Sequence, residues 1–329
     1  MALGEGSGPD PRVPQRMVSG FPAPPVARAA PSAFGFQVRC QQSLRFLRSG
    51  GGVETLEVVT APEPRRRPQV APLADWTLAG GGQEAQGTLY QADRGFEFWA
   101  SDAGVYHIDP ERGRIEIPDG DEEIVREQRL WGIPATLCFI HRGDLPLHAA
   151  AVEVGAGAVV FAAPRQYGKT TLALAFHQHG YRILSEDLAC CRVNPMPELL
   201  PGPALLRIRP DVYGGHPSLG THVVLARPDR VYLALDDDRK GSSAPIPIRA
   251  IVFLRESTDD LRFERAAASV ALADLWSLNF HLRTDEARAR SFRQLTRLVG
   301  ALPTWNLYRP LRLASLDATV ERIAEQFRP

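Results

Sequence analysis

One stretch, Ala158 to Cys191, constrains this chain more than any other: it reads AVVFAAPRQYGKTTLALAFHQHGYRILSEDLACC. An apolar run enters a loop, the loop closes on Gly168-Lys169-Thr170-Thr171, a helical pattern follows to Gly180, and a second apolar run ends in Glu186-Asp187. The order is strand, loop, helix, strand, acidic pair, which points to an α/β fold.

These residue types match what a nucleotide's phosphates require. Phosphate oxygens need backbone N–H donors turned inward, a helix N-terminus, a cation that reaches the β- and γ-phosphates, and a hydroxyl for Mg²⁺. Gly168 allows the close backbone approach, Lys169 is the cation and Thr170 the metal hydroxyl. Thr171 opens a helix that buries Leu172, Leu174, Ala175 and Phe176, and Gly180 ends it. The predicted nucleotide-binding segment is Ala163, Pro164, Arg165, Gln166, Tyr167, Gly168, Lys169, Thr170 and Thr171. Of 38 Lys and Arg residues only Lys169 and Lys240 are lysine, and one of the two stands where a compact ammonium suits a phosphate. Two positions are off pattern. Ala163 stands where G-x-x-x-x-G-K-[ST] has its first glycine, which is tolerable only at negative φ. Tyr167 is bulky for a residue beside phosphates. The plainer alternative is a strand-to-helix turn with a surface lysine, and the flanking strand and helix favour the phosphate loop.

Glu186 and Asp187 follow the second strand, where one carboxylate can hold Mg²⁺ or the lysine while the other approaches an attacking hydroxyl. His148 lies in an apolar strand, Leu147 to Val152, which turns back at Gly155-Ala156-Gly157. That hairpin brings it to the loop, as a site residue or as a core histidine. Arg207 and Arg209 alternate along Leu205–Asp211, where they either bind a phosphate or substrate carboxylate or pair with surface acids. Asp236 to Asp238 read as a solvated charge run.

The formal net charge is zero, which gives no electrostatic case for a nucleic-acid or membrane-surface partner. No apolar run is long enough to span a membrane, no secretory pattern opens the chain, and four cysteines without metal spacing fit a reduced, cytoplasmic protein. Residues 1–33, rich in Gly, Pro, Ala and Ser, read as a flexible leader. Residues 34–142 read as mostly β, with short alternating strands that Gly50-Gly51-Gly52, Gly80-Gly81-Gly82 and Pro118-Asp119-Gly120 divide into antiparallel hairpins, then a helix around Asp121 to Arg142, kinked or broken at Pro134. Arg65-Arg66-Arg67 reads as a solvated loop. Residues 143–329 hold the loop and end in three helices, with an extended segment from Leu302 to Pro310. The tail helices are candidates for acceptor contact or for a homo-oligomer interface.

Leu147-His148, the loop GKTT, Gly180-Tyr181 and Leu184-Ser185-Glu186-Asp187 resemble the core of the HPr kinase/phosphorylase family, including relatives encoded with lasso-peptide precursors. The resemblance covers residues 145 to 193 and departs from the family at Ala163 and at Glu186, where the family has aspartate. It implies a fold like the nucleotide domain of phosphoenolpyruvate carboxykinase and transfer of a phosphoryl group from ATP or another nucleoside triphosphate, with Mg²⁺, to a serine or other hydroxyl of a peptide, protein or small molecule. It also implies Lys169 on the β/γ-phosphates, Thr170 and Asp187 on the metal, Glu186 as base, and His148 in the site. The alternative class is a nucleotide-binding regulatory or scaffold protein without turnover.

Overall fold

A computed structural model describes residues 30–62, 65–78, 85–120, 122–215, 220–236, 240–258 and 261–328. Most of the expected leader, the Gly80-Gly81-Gly82 punctuation, and Asp237 and Asp238 lie outside the described residues. Among the described residues the architecture is mixed α/β, with two nine-stranded sheets, a three-stranded sheet, and helices packed on them.

The first sheet contains an antiparallel meander of Ala74–Leu78, Ala85–Gln91, Phe96–Ala100, Gly104–Asp109 and Arg114–Ile117. The expectation of hairpins throughout is corrected on the other side. Glu54–Thr60 pairs in parallel with both Arg114–Ile117 and Phe36–Cys40, so the chain leaves this strand, builds the meander and returns beside it. Glycine clusters mark where a chain turns, but not which strand it rejoins. Pro31–Ala33, at the end of the expected leader, is itself a strand antiparallel to Phe36–Cys40, through a turn in which Phe34 takes φ +52.

Where one helix is expected from Asp121 to Arg142, the described residues 122–142 form two, Glu123–Leu130 and Ile133–Arg142. The break falls at Gly132 and not at Pro134, which lies in the first turn of the second helix, where a proline's missing N–H is harmless. Leu130, Trp131, Ala135, Leu137 and Phe139 of this pair pack with Phe34, Phe36, Leu56 and Ile115 of the first sheet and with Cys190 and Leu200 of the second. One core therefore ties the two sheets together. Arg48 adds a polar tie. It is 2% exposed, and it donates from Nε to Gly202 O at 2.6 Å, from Nη2 to Ile183 O at 2.8 Å, and to Lys240 O.

The second sheet runs in the order Leu145–Leu147, Ala189–Arg192, Glu198–Leu200, Ile246–Glu256, Gly157–Ala162, Ala149–Val154, Ile183–Ser185. Gly157–Ala162 lies parallel to Ile246–Glu256 and forms the expected hairpin with Ala149–Val154. The expected strand through His148 is divided. His148 N donates to Leu278 O at 2.8 Å, and the chain leaves Ala189–Arg192 on one side of it to join Gly157–Ala162 on the other. The Leu302 to Pro310 segment is extended, and Thr304–Arg309 within it is a strand parallel to Ile246–Glu256.

Helix Lys169–Gln178 is buried on nearly every side, with Leu172, Leu174 and Phe176 in one cluster with Leu316, Val320 and Ile323 of helix Leu316–Phe327. It ends as predicted, with Gly180 at φ +84 and Tyr181 N donating to Phe176 O. The other expected tail helices are Ala268–Leu278 and Asp285–Ala301. Among the described residues, no helix is long and apolar enough to cross a membrane.

Candidate functional site

The loop after Gly157–Ala162 delivers Lys169 as the first residue of its helix. Gln166 and Gly168 take left-handed backbone, at φ +70 and +74, and Ala163 keeps negative φ, so the missing glycine causes no strain there. A Cβ at Gly168 would lie 2.6 Å from Arg309 Nη2, the group that donates to Tyr167 O at 2.8 Å. Tyr167 packs against the core and does not line the cavity.

Lys169 is 6% exposed and uses all three ammonium donors: Ala163 O at 2.7 Å, Pro164 O at 3.0 Å and His148 Nε2 at 3.1 Å. With Nε2 accepting, the imidazole proton sits on Nδ1, which faces Asp187 O at 3.1 Å and Asp187 Oδ1 at 3.3 Å. Thr170 Oγ1 donates to Glu186 Oε1 at 2.5 Å. Arg207 joins the acids, with Nη2 at 2.6 Å from Asp187 Oδ2 and Nε at 3.5 Å from Glu186 Oε2.

The two carboxylates differ in environment. The Glu186 side chain is 9% exposed, and burial first, then the neighbouring Asp187 charge, push its pKa up to about 7 against the pull of Arg207. Asp187 is 48% exposed. Burial pushes it up too, but Arg207, His148 and Lys169 together outweigh burial and bring it down to about 2. Burial lowers the Lys169 pKa to about 8, partly offset by the two acids, and lowers His148.

These groups share a cavity of about 510 Å³, lined by Arg165, Gln166, Gly168 to Thr171, His148, Glu186, Asp187, Arg207 and Arg209. Ala163 and Pro164 present carbonyls to Lys169 instead of lining the cavity. The strand through Arg207 stops at Ile208, so Arg209 lies beyond it and pairs with Asp211 at 2.7 Å. Sequence reasoning missed Arg309, Arg230 and Arg312, and the aromatic residues Trp76, Phe98 and Phe280, which also line the cavity. In a chain this rich in arginine, no pattern separated those three, and the aromatic residues reach the site only through tertiary pairing. Hydrogen bonding of Arg165 Nη2 to Thr77 O, at 3.5 Å, spans 88 residues of sequence.

No family model matches the chain, and no curated protein does. Among solved structures the chain is similar to the Hpr(Ser) kinase/phosphatase from Coxiella burnetii, at TM-score 0.29 and 9% identity, over 55% of this chain and 97% of that one. A likeness so slight leaves the chemistry to be read from the side chains.

Proposed function

We propose that the protein is a kinase of the HPr-kinase-like kind, which transfers the γ-phosphoryl group of ATP or another nucleoside triphosphate to a hydroxyl of a peptide, protein or small molecule. The observation that carries this reading is the convergence on one cavity of a helix N-terminus, a fully hydrogen-bonded lysine, a threonine hydroxyl and two carboxylates of opposite pKa shift. The loop that holds them is read as the phosphate loop of a nucleotide domain spanning 143–329.

In this reading the Gly168 to Thr171 amides and Lys169 receive the phosphates, with Lys169 exchanging the two loop carbonyls for phosphate oxygens. Four cavity guanidiniums, those of Arg165, Arg230, Arg309 and Arg312, have no carboxylate partner among the described residues and supply further charge for a polyanion. The donor set fits Mg²⁺ of the sort that rides on a nucleotide: hard oxygens from Thr170 and one acid, and no cluster of three His, Cys, Asp or Glu among the described residues. When bound, such an ion would supply charge neutralisation for the transferring phosphoryl group. The contact between Thr170 and Glu186 supports the reverse of the roles that the family resemblance implied, with Glu186 assigned to the metal side and the more exposed Asp187 to the acceptor. The acceptor oxygen bonds to the γ-phosphorus as the bond to the β-phosphate oxygen breaks. The hydroxyl proton passes to Asp187, and the nucleoside diphosphate leaves.

A second reading, nucleotide binding without turnover, draws on Arg207, whose guanidinium neutralises both acids. Incubation with γ-labelled ATP, Mg²⁺ and a panel of serine, threonine and tyrosine peptides decides between them. Label on an acceptor, lost in Lys169→Ala and in Asp187→Asn, supports the kinase, whereas nucleotide binding with no label on any hydroxyl supports the binder.

A further inference from the structure

The two ends of the cavity differ in chemistry. One end, by Arg209, Arg230 and Arg312, mixes guanidiniums with the aliphatic Val212, Leu311 and Leu316. The other holds aromatic rings, with Gln128, Arg129 and Thr136 of the helix pair Glu123–Leu130 and Ile133–Arg142 also in the lining. Phe280 lies 5.7 Å from Trp76, and Trp76 6.4 Å from Phe98, ring centre to ring centre, with Ile133 beside them in the cavity wall. Trp76 stands on Ala74–Leu78, the last strand of the first sheet, and its neighbour Thr77 accepts from Arg165 of the loop. The first sheet therefore meets the loop and supplies part of the cavity wall.

The acids lie between that N-terminus and the aromatic end. Glu186 is held by Thr170 on the helix side. Asp187 is held by His148, whose backbone N is bonded to Leu278 O, while Phe280 N, two residues on, donates to Pro146 O at 3.4 Å. A triphosphate seated on the helix with its γ end toward the acids places the acceptor beyond them, against Phe280 and Trp76. Its nucleoside then leaves toward Val212 and Leu311. Trp76 and Phe280, both half-buried over the fully buried Phe98, present ring faces that offer nothing to a phosphate or a sugar hydroxyl but match an apolar group.

We infer that the aromatic end is the acceptor subsite, and that the acceptor carries its hydroxyl on an apolar body the size of one aromatic or branched aliphatic side chain. This rests on the kinase reading and names its substrate class. The bonds made and broken are those already given, with the acceptor's proton going to Asp187.

The test uses the full chain with Mg·ATP and two probe alcohols at equal concentration, 2-phenylethanol and glycerol, and reads nucleoside diphosphate formation. Affinity for a non-hydrolysable ATP analogue is measured in parallel. Stimulation by 2-phenylethanol and not by glycerol is expected. Trp76→Ala and Phe280→Ala, which sit on different elements, should each raise the KM for 2-phenylethanol by about tenfold or more, the factor for one lost aromatic contact, and leave analogue affinity within about twofold. Melting temperatures identify a variant that fails to fold, and Trp76→Phe should restore most of the response. Equal stimulation by glycerol, or none by either alcohol, overturns the inference and leaves the nucleotide site standing. Weaker analogue binding in Trp76→Ala overturns it differently, by showing that the aromatic end holds the base. Absence of analogue binding in the wild type removes the kinase reading itself.

Discussion

Lys169 has every donor satisfied before any ligand arrives, by two carbonyls of its own loop and by His148. An ammonium held this way is positioned without being neutralised, and burial has lowered its pKa to about 8, so a polyanion in the cavity favours its charged form. Lys169→Met should lower phosphoryl transfer by about 100-fold or more, the scale seen when one charge-stabilising donor is removed. Glu186 gives a prediction in the apo protein. Its folded pKa of about 7 lies above the ordinary carboxylate value, so the folded chain binds the proton more tightly than the unfolded chain does. Stability from this group is therefore present at low pH and lost as pH rises toward and through about 7. Glu186→Gln cannot titrate, so the difference in melting temperature between variant and wild type should move in the variant's favour between pH 5 and pH 8, by calorimetry without nucleotide or metal. A difference that moves the other way contradicts the assigned environment. Gly168→Ala combines left-handed backbone with a contact on Arg309 Nη2. It should destabilise the fold by about 1 kcal/mol or more, and less in an Arg309→Ala background, where the contact is gone.

At the scale of elements, helix Lys169–Gln178 holds the loop in register because it is buried among Val159, Phe161 and helix Leu316–Phe327. Phe176 is fully buried, 5.5 Å from Phe161 and 5.2 Å from Tyr181, ring centre to ring centre. Phe176→Ala should cost about 3–5 kcal/mol in chemical denaturation, and should weaken nucleotide binding at temperatures where the fold survives. The local elements were legible in sequence. Strand, loop, helix and acidic pair lie within one short stretch, and each is specified by neighbours a few residues away. His148 was legible as a candidate because a hairpin returns the chain within two strands. The break at Gly132, the divided strand at His148 and the strand Thr304–Arg309 were not, since each depends on a partner far along the chain: Leu278 for His148, and Ile246–Glu256 for Thr304–Arg309.

On the scale of the molecule, the two sheets meet over one core, with Arg48 bridging three carbonyls of the second half, and the cavity lies between them. In the proposed reading the loop supplies the phosphate site, and the first sheet adds an aromatic wall that only the folded chain reveals. Trp76 and Phe98 fall in the stretch that reads as mostly β, yet the parallel return of Glu54–Thr60 that orients that sheet leaves no mark in local sequence. The central claim is that a nucleoside triphosphate binds at the amino end of the Lys169 helix. Isothermal titration of a non-hydrolysable ATP analogue with Mg²⁺ tests it most directly. One site per chain in the wild type, weakened at least about tenfold in Lys169→Met with the fold intact, is the result predicted. Equal affinity in both proteins, or no binding to either, would contradict it.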